Sequence, residues 1–204
     1  MLKHLSTALA PFVLLIGAMS GCANVNTVRT PPVTITAYAS AKSPFFKGRE
    51  EAAARDVQVR QIGMNYLYSY PHMSVRECNN DMTACSWGIV KLTSRIILQK
   101  VVENYATVSV SLTYDLERSQ VTSDKNMFLR DEIPADIPVL SGNAHFEKVV
   151  TLPFGEMRRV SFDHGVDFDI CAAPADQYME PANGLCSVDD IMLGKISQAS
   201  IPSL

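Results

Sequence analysis

The chain has little of what most recognisable chemistry is built from. Its 204 residues include four histidines and one tryptophan, and 18 basic side chains stand against 21 acidic ones. Without a basic excess there is nothing to displace counterions from phosphates, so nucleic-acid binding is not expected. There is no GxSxG elbow, no Ser-x-x-Lys with its partner motifs, no HExxH pair and no Gly-rich phosphate loop. Enzymes of those classes are therefore not expected, and no cofactor or metal is. No segment repeats with a period of roughly 20–50 residues, which excludes a solenoid. What is plentiful is apolar: 47 % of residues are hydrophobic, too many for wholesale disorder.

The first apolar run, Leu5 to Ala18, follows Lys3 and ends in Met19-Ser20-Gly21-Cys22. A short basic start, an apolar stretch and small residues before a cut form the three-part pattern of a secretory signal. The run is short for a membrane span and is interrupted by Pro11, so a retained helix is the weaker alternative. Met19-Ser20-Gly21-Cys22 resembles the lipobox of bacterial lipoproteins, in which small residues precede a cysteine. Met19 stands where that family prefers leucine, and it is apolar and of similar size. The resemblance covers the first 22 residues alone. It implies cleavage before Cys22, acylation of its thiol and usually of the freed amino group.

Two or three acyl chains, at about 0.8 kcal/mol per buried methylene, would hold the protein on a membrane essentially permanently. Ala23 occupies the place where the family's inner-membrane retention signal is usually Asp, so the resemblance implies the outer membrane. The competing interpretation is an ordinary secreted protein cut nearby, with Cys22 a stray thiol. The expected organisation is a signal peptide over 1–21, the lipidated Cys22 with a polar tether to Pro32, and one domain over 33–204, in the periplasm or at the cell surface. Loss of Lys3 with the leader leaves 17 basic against 21 acidic side chains.

Once Cys22 carries lipid, Cys78, Cys85, Cys171 and Cys186 remain, an even number in an oxidising compartment. Three pairings are open. Cys78–Cys85 and Cys171–Cys186 are favoured, because each pair brackets a polar or Pro/Gly-containing segment. Such short loops gain about 2–3 kcal/mol each in the chain-entropy model. The alternative, a four-thiolate zinc site, fits poorly because the spacings are not CxxC.

Along the domain, Val33, Ile35, Ala37 and Ala39 alternate with polar residues and predict a strand. Arg49 to Val57, with three alanines and a Glu51/Arg55 pair, predicts a helix, and a longer helix reaching Leu67 competes with a strand over Ile62 to Tyr70. Trp87 to Val102 and Thr107 to Leu116 predict an antiparallel hairpin about a turn at Glu103-Asn104-Tyr105. Residues 117–143 read as a long loop with a local Met127-Phe128-Leu129 cluster. Ala144 to Leu152 is a strand, and Pro153 to Glu156 a turn. Around Asp163-His164-Gly165 the chain either turns or bulges, with Val160, Phe162, Val166, Phe168 and Ile170 on one face. Ser187 to Ile196 predicts a short amphipathic helix. The sum is a mainly β domain, an antiparallel β-sandwich or barrel-like fold with one or two short helices.

Candidate sites are few. His164 lies near Asp163, Asp167 and Asp169, but on a strand it points away from all three, and they converge only if the segment turns. His72 and His145 read as boundary residues. Tyr66, Tyr68 and Tyr70 form a stripe that reads first as ordinary sheet packing, with a partner-binding face as the alternative. The Asn79–Ala84 loop, once bridged, is a pre-organised protrusion suited to partner contact, with structural stapling alone as an equal alternative. The leading expectation is a non-enzymatic envelope lipoprotein that binds other envelope proteins within a secretion, conjugation or pilus machine. A carrier or sensor of a small apolar ligand is second. A glycan hydrolase using Asp163 and Asp167 is third. Palmitate labelling in bacterial cells is expected for the wild type and lost in Cys22→Ser; equal labelling of both would sink the anchor.

Overall fold

The computed structural model describes residues 32–42, 50–80, 83–123, 127–128, 140–187, 189 and 198–201. The segments expected to form a leader and a tether, up to Pro31, lie outside them. So does the helix expected at the tail, apart from Asp189. The strands are β1 (Val33–Lys42), β2 (Glu50–Arg60), β3 (Asn65–Ser69), β4 (Met73–Cys78), β5 (Ala84–Val102), β6 (Tyr105–Ser123), β7 (Met127–Phe128), β8 (Gly142–Pro153), β9 (Met157–Phe162), β10 (Val166–Pro174) and β11 (Gln198–Ser200).

They form two sheets. The first runs β11-β9-β10-β1-β2. The second is built on the β5–β6 hairpin, with β3 and β4 in succession along β5, and β8 and β7 along β6. Pairing is antiparallel except between β11 and β9. The sheets are separate and share one apolar core between them, so the fold is a sandwich and not a closed barrel. Among the described residues, helical structure is confined to two 3-10 turns, Asp163–Gly165 and Ala182–Gly184, and to Asp189.

The hairpin follows its residue pattern closely. Ala106, Val108, Val110, Leu112, Tyr114 and Leu116 are all buried, while the serines and threonines between them look outward. Strands β1 and β10 solve a different problem, because both sheets must meet at van der Waals distance. Ala37, Ala39 and Ala41 of β1 pair in register with Ile170, Phe168 and Val166 of β10. Each small side chain sits beside a large one. Phe168 can then reach across to the other sheet, where Tyr70 meets it edge-on with ring centroids 6.1 Å apart.

Strand β10 is buried on both faces from Val166 to Ala173. Its second face carries Asp167 and Asp169, which survive burial because each is answered. Arg159 of β9 grips Asp169 with two hydrogen bonds, Nε–Oδ1 2.7 Å and Nη2–Oδ2 2.6 Å, and its Nη1 lies 3.1 Å from Asp167. Ser161 donates to Asp167 at 2.6 Å. The Cys171–Cys186 disulfide fastens the following loop onto the same face.

Three expectations are corrected. The alanine-rich segment from Arg49 is not a helix: β2 pairs with β1 along its length, with Ala52, Ala53 and Ala54 opposite Ala41, Ser40 and Ala39. The ladder offered by a central strand outweighs intrinsic helix preference, which is only a few tenths of a kcal/mol per residue in order of magnitude, roughly 0–0.7. Glu51 and Arg55, neighbours on a helix, stand about 13 Å apart on an extended chain. The strand before Pro71 begins at Asn65 and not Ile62, because Gly63 (φ +82°) and a Met64 N–H to Gln61 carbonyl bond of 3.1 Å make a turn there. The loop expected from residue 117 begins later, since β6 continues to Ser123 and β7 pairs back onto it.

Phe168 is fully buried between the sheets. Replacing it with Ala is expected to cost about 3–5 kcal/mol by denaturant titration. Val149→Ala, at an exposed position on β8, should stay within roughly 0.5 kcal/mol of wild type.

Candidate functional site

The two ends of the sandwich differ in composition. At the end where β4 finishes, alternation aims Met73, Val75 and Glu77 into the gap between the sheets. Met73 and Val75 are buried; Glu77 comes where the gap opens and its carboxylate is partly wet. It meets His164, carried by the β9–β10 turn of the opposite sheet, with Glu77 Oε1 2.5 Å from His164 Nδ1. His164 adopts a left-handed conformation, φ 59° and ψ 28°. A non-glycine residue holds that region at a cost of roughly 1–2 kcal/mol, and the bond to Glu77 is a direct compensation. The pair ties one sheet to the other.

Tyr114 of β6 stands beside it. Its ring stacks on Phe162, centroids 4.9 Å apart and planes within 4°, and its hydroxyl donates a long bond (3.4 Å) to the Asp163 carbonyl. Burial, and then the negative charges of Asp163 and Glu77, push its pKa up to about 12. These two rings form one wall of an open cleft of about 260 Å3, whose rim includes Asn143, His145, Ser161 and Asp163.

The β4–β5 hairpin beside the cleft is closed by the Cys78–Cys85 disulfide, between residues directly opposite in the ladder. Arg76 lies over the Trp87 ring at 5.0 Å and donates from Nη2 to Cys85 Sγ at 2.8 Å. Gly88 is needed behind it. A Cβ there would come within 2.6 Å of Leu116 Cδ1, which fills the base of this end.

The residues singled out in the sequence fare unevenly. Both cysteine pairs are bridged locally, which places the four sulfurs in two separate disulfides. Asp163-His164-Gly165 does turn, yet the neighbouring carboxylates do not converge on His164. Asp167 and Asp169 face the far side of their sheet with Arg159, and Asp167 does not line the cleft that Asp163 borders. The two carboxylates proposed for glycan hydrolysis therefore share no cleft. His72 is exposed at the break between β3 and β4. His145 lines the cleft instead of marking a boundary, 3.5 Å from Thr113 Oγ1. Cys22 lies outside the described residues.

The tyrosine stripe is a packed row more than an open face. Tyr66 and Tyr68 stack 6.3 Å apart and stay half-exposed, Tyr68 meets Tyr70 edge-on at 4.8 Å, and Tyr70 is buried. Glu77 is the residue the sequence reading missed. The Met73, Val75, Glu77 alternation was its signal, and its place next to Cys78 disguised it as part of a loop. Among the described residues, no three His, Cys, Asp or Glu side chains are grouped so as to hold a metal ion. No protein-family model matches the chain, and no curated protein matches its sequence.

The raised pKa of Tyr114 makes a signed prediction. The unfolded phenol ionises near its ordinary value of 10 and the folded one near 12. Tyr114 therefore contributes fully below pH 10, and its contribution is lost as pH rises through 12, a drop of about 2–3 kcal/mol. In urea titrations across that window, Tyr114→Phe should lose less stability than wild type. Parallel losses would show that the phenol is not shielded.

Proposed function

We propose that this chain is a lipid-anchored, non-enzymatic protein of the bacterial envelope. In this reading it binds other envelope proteins as an accessory or assembly component of a secretion, conjugation or pilus machine. Acylated Cys22 would hold it to the outer membrane and the residues up to Pro32 would act as its tether. The observation that carries the binding role is the pre-organisation of the end just described. A disulfide closes its hairpin, and the Glu77–His164 pair bolts one sheet to the other. A surface that is already rigid loses little conformational entropy when a partner settles on it.

The size of the cleft favours a protein partner over a small apolar ligand. Pockets for free small molecules run to about 300–1,000 Å3 and enclose most of the ligand. A cleft of about 260 Å3 with Asn143, His145, Ser161 and Asp163 on its rim suits one or two side chains of a docking protein. Photo-cross-linkers placed at Asn143 and, as a control, at Ser109 on the middle of β6 should separate the outcomes in intact cells. Protein adducts from position 143 in excess of those from 109 are expected by mass spectrometry. An absence of protein neighbours at 143 would count decisively against the reading.

A further inference from the structure

The opposite end of the sandwich is where the chain enters the fold. Pro32 accepts a hydrogen bond from the Ala175 N–H at 3.0 Å, and Val33 pairs with Pro174 on one side and Arg60 on the other. Two loops leave the first sheet from those same positions. One, Gln61 to Met64, follows Arg60; the other, Ala175 to Pro181, follows Pro174. With neighbouring strands about 4.8 Å apart, the starts of the two loops flank the tether's exit within about 10 Å.

Both loops present large apolar side chains to solvent. Ile62 is 53 % exposed, Met64 48 %, Tyr178 76 % and Met179 55 %. Neither loop is loose. Gly63 N–H donates to the Leu98 carbonyl at 2.8 Å. In the second loop Asp176 Oδ1 accepts from the N–H groups of Tyr178 and Glu180 at 2.8 and 2.9 Å. The Asp176 N–H donates to the Glu180 carbonyl at 2.8 Å, and Met179, at φ 66°, is held in a left-handed conformation at the tip. The Cys171–Cys186 bridge pins the base. Exposed tyrosine, methionine and isoleucine grouped on two rigid loops mark an interaction surface.

We infer that this end of the domain rests on the lipid surface, with Ile62, Met64, Tyr178 and Met179 inserted among the headgroups and upper acyl chains. The inference rests on the proposed acylation of Cys22. Ten residues link Cys22 to Pro32, a reach of about 35 Å at most when fully extended. The tether therefore delivers this end to the bilayer before any other part of the domain. Tyrosine belongs at such an interface because its ring is apolar and its hydroxyl wet, and methionine and isoleucine supply apolar area. The exposed charges at this end include Lys100 beside Glu103 and Glu180, which leaves no basic excess to draw it to anionic lipid, so the surface it fits is zwitterionic.

The test uses full-length mature protein, acylated and reconstituted in phosphatidylcholine vesicles, with Tyr178→Trp as reporter. Trp87, at the cleft end, is an internal control. Insertion should blue-shift emission from the indole introduced at 178 and brominated phosphatidylcholine should quench it, while wild-type protein, with Trp87 alone, stays unchanged. Ile62→Trp should behave in the same way from the other loop and guards against misfolding of the first variant. Mass spectrometry of the N-terminal peptide runs in parallel. If Cys22 carries its acyl chains and neither reporter is quenched, the docking inference fails while the anchor stands. If Cys22 carries none, both fall. Cross-links from position 178 to a protein in place of lipid quenching would also overturn it.

Discussion

Strand β10 has no face left for water, and the other features of the molecule are arranged around that constraint. Toward the second sheet it offers Val166, Phe168 and Ile170, which can pack only because β1 answers them with alanines. Toward the other side it carries two carboxylates, whose desolvation would be prohibitive without Arg159 and Ser161 on the adjacent strand. The same strand ends at Pro174 against the chain's point of entry and begins at Val166, directly after the His164 turn. One buried segment thus sets the positions of both functional ends.

Those ends are built by different means. At the cleft, fixation comes from two cross-sheet contacts, the Glu77–His164 hydrogen bond and the Tyr114–Phe162 stack, and from a disulfide within the second sheet's β4–β5 hairpin. Where the chain enters the fold, it comes from the hydrogen bonds of two loops, one of them from Gly63 N–H to the Leu98 carbonyl of the second sheet, and from the Cys171–Cys186 bridge. The first arrangement couples the two sheets, so disturbance there loosens their mutual position. The second fixes two loops to the strands beside them.

Period-two alternation made most of the second sheet legible, since each of its faces meets a different medium. The first sheet hid its architecture for the opposite reason. With both faces of β1 and β10 buried, alternation there separates apolar from small polar side chains instead of core from water, and the alanines of β2 carry a helix signal that only the β1 ladder overrides. The disulfides were readable because their loops are short. The Glu77–His164 pair was not, because its partners lie 87 positions apart and meet through the stacking of two sheets. The same holds for the apolar tether end, where Ile62 and Met64 read as strand residues until Gly63 turned the chain.

The placement of β1 has a consequence for how the molecule forms. It is the first strand of the domain and it lies inside its sheet, with β2 on one side and β10 on the other. Pairing with β2 closes a short loop and can occur early; pairing with β10 must wait for nearly the whole chain. For a polypeptide threaded N-terminus first, through a ribosome or a membrane pore, one edge of β1 stays open throughout passage. Such a high-contact-order topology folds slowly and leaves an adhesive strand edge exposed meanwhile. A chain of this topology therefore carries that open edge for as long as the segment that forms β10 is still in transit.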